Sequence, residues 1–366
     1  MSLTRRRLAA QRLTGAPFTD AASLVRAQGA VQSQDYPGAV WALAQRLPAG
    51  TTQAALDAAF DRGAFLRTHV LRPTWHFVAP EDIRWMLALT GPRILAGNAK
   101  RFRDLALDPK TLDRALRALP PAMVGGRSLT REEVRAALAR ARVDAADTER
   151  FTHVMMFAEL QGLVCSGARH GKQTTTYALL DERAPAAPPR DRDDAVRELV
   201  RRYFASHGPA TLHDFVVWSG LTIADARAGL EVLGDAFTSR EIDGRRWWWS
   251  ATAPPPPTAR ATVARLLPNY DEYFIGFKHR EPILARLAAQ RVTHDSRDLL
   301  AHVLMVDGQV VGGWKRVAGK RPALRLSPVV PLTPRERAAL EREVARFGRF
   351  VENAVEIVWD ETTVNC

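Results

Sequence analysis

The segment Phe237-Thr238-Ser239-Arg240-Glu241-Ile242-Asp243-Gly244-Arg245-Arg246-Trp247-Trp248-Trp249 decides how this chain is read. Two runs rich in aromatic and branched residues flank Asp243-Gly244, a two-residue turn signal that suits positive φ at both positions. A β-hairpin is expected. Upstream of it, Thr222 caps a helix over Ile223 to Leu233, and Thr211 caps a short helix over Leu212 to Trp218. A longer helix over Arg192 to Ser206 stops at Gly208-Pro209. Helix, short helix, turn, helix, hairpin is the outline of a winged helix.

The outline recurs twice toward the N-terminus. In residues 1–90, helices over Leu3 to Leu13, Ala21 to Ala30 (capped by Asp20), Ala39 to Leu47 and one capped by Thr51 or Thr52 and running to about Phe60 precede two strands, Phe65 to Val78, joined by a bend. In residues 91–183, helices over Thr111 to Leu119 (stopped by Pro120-Pro121), Ser128 to Arg142 and Thr148 to Gln161 precede a hairpin whose tip is Gly167 to Gln173. Glu81 to Leu89 begins another helix after Pro80. Asp181 to Arg190 reads as a linker to the third unit, residues 191–252. Ala253-Pro254-Pro255-Pro256-Pro257 is a stiff connection to residues 258–366. There, strands over Val263 to Leu267, His302 to Val306 and Gln309 to Trp314, a helix over Thr333 to Phe347 and a final strand near Val358-Trp359 make a small β-rich domain. Asp307-Gly308 is its hairpin turn. The expected fold is mainly α with β hairpins (α+β): three tandem winged-helix units plus that domain.

Composition narrows the function. Lys and Arg number 52 against 40 Asp and Glu, a formal charge of +12, with a pI near 10.4. That balance favours a polyanionic partner, nucleic acid before an anionic membrane surface. Part of the excess reflects the Arg- and Ala-rich usage of a GC-rich genome. No apolar run approaches the ~20 residues that span a bilayer. The start, Met1 to Arg7, lacks the apolar stretch of a secretory signal. Two cysteines, Cys165 and Cys366, give no disulfide framework, so a bacterial cytoplasmic, nucleoid-associated protein is expected. Nothing suggests an oligomer, and a monomer is expected.

Tandem winged helices with a basic balance point to duplex DNA. The expected recognition helices are Thr148 to Gln161 and Thr222 to Leu233, and neither is notably basic. The hairpins carry more charge: Arg169 and Lys172 in the second unit, Arg245 and Arg246 in the third, Lys315 and Arg316 in the C-terminal part. They are either phosphate contacts or solvated tips. No nucleotide-binding glycine loop, zinc-ligand spacing or nucleophile elbow is present, so no cofactor or metal is expected.

Three stretches concentrate polar chemistry. In Val31-Gln32-Ser33-Gln34-Asp35-Tyr36-Pro37-Gly38, the amides of Gln32 and Gln34 share one side if the backbone is extended. Tyr36-Pro37-Gly38 reads as a turn. Such a pair can hold a water or a polar ligand, or it caps helix ends. In Leu71-Arg72-Pro73-Thr74-Trp75-His76-Phe77-Val78, Thr74 and His76 share one side of a strand. In Leu267-Pro268-Asn269-Tyr270-Asp271-Glu272-Tyr273-Phe274-Ile275-Gly276-Phe277-Lys278-His279-Arg280, Asp271 orients another side chain and Tyr273 stacks on a base, or they are a helix cap and a core anchor.

Together with the Val306-Asp307-Gly308-Gln309-Val310-Val311-Gly312-Gly313-Trp314-Lys315-Arg316 hairpin, these stretches in this order resemble the AlkZ/YcaQ family of winged-helix DNA glycosylases, over nearly the whole chain. The resemblance implies a basic, concave DNA-binding surface and removal of N-alkylated (N7 or N3) purines. Some members of that family unhook interstrand crosslinks. Gln32-Ser33-Gln34 is the QxQ form of the family's catalytic motif, that of the AlkZ-like branch. It implies Gln32 and Gln34 as catalytic residues; Thr74, His76, Asp271 and Tyr273, from the stretches above, are the candidate supporting or lesion-binding residues. Hydrolysis without lyase chemistry is expected on duplex DNA carrying alkylated purines or crosslinks. The alternative is a non-catalytic winged-helix DNA-binding protein, a regulator or damage sensor.

Overall fold

The computed structural model describes residues 2–171, 175–253, 255, 261–290, 301–317, 319 and 322–360. Pro254, Pro256 and Pro257 of the expected polyproline connection, and Lys172 and Gln173 of the expected hairpin tip, lie outside these residues.

One order of elements occurs three times. First come helices α1 (Leu3–Ala10) and α2 (Ala21–Gln28), strand β1 (Ala30–Gln32), helices α3 (Tyr36–Ala44) and α4 (Gln53–Asp61), and strands β2 (Leu66–Val70) and β3 (Arg72–Val78). These strands form an antiparallel sheet in the order β1-β3-β2. Next follow α5 (Ile83–Asp104), α6 (Pro109–Met123), β4 (Leu129–Thr130), α7 (Arg131–Arg140), α8 (Thr148–Leu160), β5 (Val164–Ser166), β6 (Thr176–Leu179) and the single turn α9 (Leu180–Arg183). Their sheet order is β4-β6-β5. Third come α10 (Arg192–His207), α11 (Leu212–Ser219), α12 (Ile223–Leu233), β7 (Phe237–Ile242) and β8 (Arg245–Ser250). Here an isolated bridge from Ala210 to Trp248 stands where the first short strand stood before.

Capping explains many of the starts. The side chains of Asp20, Thr52, Asp108, Asp147, Thr211 and Thr222 each accept a first-turn N–H, and Thr130 closes a capping box with Glu133. Each such cap is worth about 1 kcal/mol.

The chain ends in a mixed sheet. Strands β9 (Ala264–Leu267), β10 (Val303–Val306), β11 (Gln309–Val317), β12 (Ala323–Pro328) and β13 (Glu356–Trp359) lie in the order β13-β12-β11-β10-β9. Only the β12-β13 pair is parallel among them. Helices α13 (Glu272–Ile275), α14 (Glu281–Ala289) and α15 (Pro334–Phe350) accompany it. This sheet shares a core with the N-terminal unit. Trp41 donates its indole N–H to the Leu266 carbonyl at 2.7 Å, and its ring meets Phe347 and Phe350 at 5.1 and 5.0 Å. Burying one such ring stabilises by roughly 2–3 kcal/mol. That contact carries the segment after β9 to the edge of β1.

Two proline expectations, at Pro37 and at Pro120-Pro121, are corrected. Tyr36-Pro37-Gly38 is the first turn of α3, not a turn, because proline at the start of a helix forfeits only an N–H that has no intrahelical partner. Helix α5 continues past Leu89 through Pro92, where it packs on α8; a Cβ on the preceding Gly91 would lie 3.2 Å from the Leu160 carbonyl. Helix α6 continues through Pro120-Pro121: Leu119 and Met123 are fully buried, and the Pro120 carbonyl still accepts from Val124.

Candidate functional site

Gln32 is the last residue of β1, and Ser33-Gln34-Asp35 connects it to α3. In the sheet Gln32 pairs with His76, and His76 pairs with Thr68. Side chains directly opposite each other point to one face, and so do residues two apart on a strand. Gln32, Thr74, His76 and Thr68 therefore line one face of this sheet. Arg67, His69 and Trp75 line the other.

Both glutamines are anchored on β3. Oε1 of Gln32 accepts from Arg72 Nη2 at 3.0 Å, and Oε1 of Gln34 accepts from the Trp75 backbone N–H at 3.2 Å. Gln32 is buried and Gln34 exposed. Each amide oxygen retains a second lone pair.

The connector is clamped from behind. Arg67, fully buried, donates Nε and Nη2 to the Ser33 carbonyl at 3.1 and 2.8 Å. Its guanidinium lies 4.3 Å from the Trp75 ring centroid. Burial lowers the Arg67 pKa to about 10, against the opposing charge of Glu159, and the group stays cationic at neutral pH. Buried Glu159 in turn accepts from the Trp75 indole and pairs with His69.

His76 is fully buried, with Nδ1 2.9 Å from the Thr74 carbonyl. That contact needs a proton on Nδ1, leaving Nε2 as an acceptor. Burial, then the charge of Arg72, pushes its pKa down to about 3, so the ring is neutral at physiological pH. His76 Nε2, Thr74 Oγ1, Thr68 Oγ1 and Ser33 Oγ are buried without a hydrogen-bond partner among the described residues. Buried polar atoms are seldom left so in a folded protein. Here three of the four lie on the face that carries Gln32.

A buried carboxylate that the sequence reading passed over closes the site. Glu272 accepts from the Gln32 backbone N–H at 2.8 Å and from the Trp218 indole at 3.0 Å, with His207 Nε2 at 3.3 Å. Burial alone would raise its pKa; the contacts with His207 and Gln32 and the charge of Arg72 outweigh this and hold it at about 2. The signal was the polar density of Asn269 to Arg280. The choice within it fell on the neighbours.

The neighbours of Glu272 are engaged elsewhere. Asp271 caps α13 and forms a buried two-pronged pair with Arg46, both contacts at 2.8 Å. Tyr273 is buried, and its hydroxyl donates to the Gly308 carbonyl at 3.0 Å. They are the cap and the core anchor; the Tyr273 ring offers no face to a base.

The basic candidates divide. Arg169 is committed to Asp57 and Asp61, each at 2.7 Å, which corrects its expected place at a free hairpin tip. Arg245 pairs with Glu281 at 3.0 Å while remaining exposed. Arg246, Lys315 and Arg316 are exposed, and Arg316 lies 5.1 Å over the Phe347 ring. A hollow between α11, α12 and the β7-β8 hairpin gathers His213, Arg227, Arg246 and Lys278 around Trp248. Lys278 joins from the C-terminal part, a contact no local pattern announces.

The chain that carries this site has counterparts among known proteins. Residues 25–350 match the family described as AlkZ-like DNA glycosylase, and the chain belongs to that family. The interstrand DNA cross-link repair glycosylase of Streptomyces sahachiroi is 24% identical over 299 residues, covering 78% of this chain and 79% of that protein. The solved structure of Streptomyces sahachiroi DNA glycosylase AlkZ matches with a TM-score of 0.75 at 21% identity, over 98% of both chains. At that identity the likeness speaks for the fold. No helix among the described residues is long and apolar enough to cross a membrane.

Proposed function

We propose that this protein is a monofunctional DNA glycosylase that hydrolyses the N-glycosidic bond of N7- or N3-alkylated purines in duplex DNA, with Gln32 and Gln34 positioning the water. The observation that carries the reading is the anchoring of both amide oxygens on one strand, Gln32 on Arg72 and Gln34 on the Trp75 N–H, in a chain of this family.

An N-alkylated purine is cationic and leaves as a neutral base, so no strong acid is required. What remains is to hold a water near C1′ and to steady positive charge on the sugar. Fixed amide oxygens serve both ends. Neutral amides are weak bases, which limits the chemistry to bases that already leave well. His76, neutral with a free acceptor on the same face, orients a hydroxyl or water and supplies no proton. Among the described residues around the two glutamines there is no lysine to form a Schiff base, which supports hydrolysis without strand cleavage.

The three repeats are read as winged-helix units in residues 1–90, 91–183 and 191–252, with residues 258–366 closing the first. Exposed Arg246, Lys315 and Arg316, with Arg245 beside them, are assigned to DNA phosphates, and a monomer acting in the bacterial cytoplasm fits the reading. Crosslink unhooking comes from the name of the Streptomyces sahachiroi relative. The non-catalytic DNA-binding reading draws on one observation: both amide oxygens already accept a bond from the protein, as purely structural glutamines would.

A duplex with a single 7-methylguanine tests the reading. Free 7-methylguanine, with strand breaks appearing only after alkali, is the expected result. Retention of the duplex with the base intact would favour the binder, and breaks without alkali would contradict the monofunctional assignment.

A further inference from the structure

We propose that Glu272 is a positioning residue for Gln32, coupling the attachment of the third unit and the C-terminal sheet to the geometry of the reacting amide. The inference rests on the glycosylase reading. Strand β1 is an edge strand, paired with β3 on one side only. Ser33 donates its N–H to the Trp75 carbonyl, toward β3. Backbone N–H groups alternate along a strand, so that of Gln32 points to the open edge. Glu272 occupies that edge, taking the Gln32 N–H on Oε1 at 2.8 Å.

The other carboxylate oxygen is held by the third unit. Trp218 of α11 donates at 3.0 Å, and His207 of α10 lies at 3.3 Å, stacked on Tyr203 with ring centroids 4.7 Å apart. On the opposite side of Gln32, Arg72 donates both to the amide oxygen and to the Val217 carbonyl of α11, at 3.0 and 3.2 Å. Gln32 is thus gripped at its backbone by Glu272 and at its side chain by Arg72, and both grips are referenced to α11. A shift of α11 relative to the first unit moves the amide. Only a carboxylate satisfies this position, because the Gln32 N–H on one oxygen and the Trp218 indole N–H on the other are both donors. A glutamine there has one oxygen, and whichever way it turns its NH2 group meets an N–H.

The experiment measures two quantities on the full chain. One is the single-turnover rate of base release from a 7-methylguanine duplex; the other is the Kd for a duplex with a tetrahydrofuran abasic site. For Glu272→Gln the expected result is a release rate lower by at least about tenfold, with the Kd within about twofold of wild type. Release at the wild-type rate overturns the inference and leaves the glycosylase reading standing. A rate loss matched by an equal loss of duplex affinity also overturns it, since that is what general loosening gives. If wild type releases no base, the glycosylase reading itself has failed. If Glu272→Gln does not fold, Trp218→Phe decides. It removes one donor from Glu272 and keeps the Gln32 contact, so release slowed several-fold at unchanged Kd supports the coupling, and an unchanged rate overturns it.

Discussion

Arg67→Ala is the substitution that reaches furthest into this account. The guanidinium donates twice to the Ser33 carbonyl and once, at 3.4 Å, to the Gln34 carbonyl, and it stacks on Trp75. Removing it leaves the Ser33 carbonyl buried without a donor, worth about 1–3 kcal/mol, and forfeits a desolvated cation–π contact worth about 1–2. It also removes the favourable charge of Arg67 from the surroundings of buried Glu159, which keeps its contact with His69. Breaking a buried charged arrangement of this kind costs about 3–5 kcal/mol in all. For a chain of this size that lowers the thermal midpoint by roughly 5–10 °C. Arg67→Lys keeps the charge and loses the fork, and the expected loss is about half as large. Thermal unfolding followed by circular dichroism checks the first part, and base release per folded molecule checks the second. The connector that carries Gln34 loosens, so release falls while enough protein stays folded to assay. A variant melting within about 1 °C of wild type, with unchanged release, would refute the clamp.

Two further outcomes follow from the same geometry. His76 titrates near 3 when folded against an ordinary 6.5, so the unfolded chain binds the extra proton in that window. The stability it contributes is complete above pH 6.5 and is lost as pH falls toward 3, by about 1.4 kcal/mol per pH unit. His76→Gln should flatten denaturant midpoints between pH 6.5 and 4.5 by one proton's worth; an unchanged slope would show that His76 is not buried neutral. Gly312 has φ near +159°, and a Cβ there would lie 2.2 Å from the Ser327 carbonyl oxygen and 2.7 Å from the Pro328 Cα, both backbone. Gly312→Ala should cost about 2–3 kcal/mol, measured by thermal unfolding, and Gly313→Ala, whose Cβ would meet its nearest neighbour at 3.3 Å, much less.

What the sequence disclosed was mostly local. Asp243-Gly244 and Asp307-Gly308 take positive φ at both positions, and each turns a hairpin as its residues demand. Thr130, Thr211 and Thr222 cap the helices they precede. Prolines misled where packing outweighed local preference: Pro120-Pro121 sit inside a helix whose Leu119 and Met123 are buried, and Pro37 opens one. At the site, the Thr74-His76 face is legible from two-residue periodicity, whereas Gln34 lies beyond the end of β1, where that periodicity stops. Glu272 is not legible, because its link to Gln32 spans 240 residues and exists only once the C-terminal sheet has docked on the first unit. The same holds for Arg46, which takes Asp271 out of the site and into the core. Arg169 reads as a free basic tip because nothing local reveals Asp57 and Asp61 beneath it.

The central claim is that Gln32 and Gln34 carry the reaction, and the most direct measurement is single-turnover release of 7-methylguanine by wild type and by a Gln32→Ala, Gln34→Ala double variant. Abasic-site duplex binding is recorded alongside. The account predicts release by wild type, loss of at least about a hundredfold in the double variant, and retained duplex affinity. Equal release by both proteins would contradict it and move the chemistry to other residues of the chain.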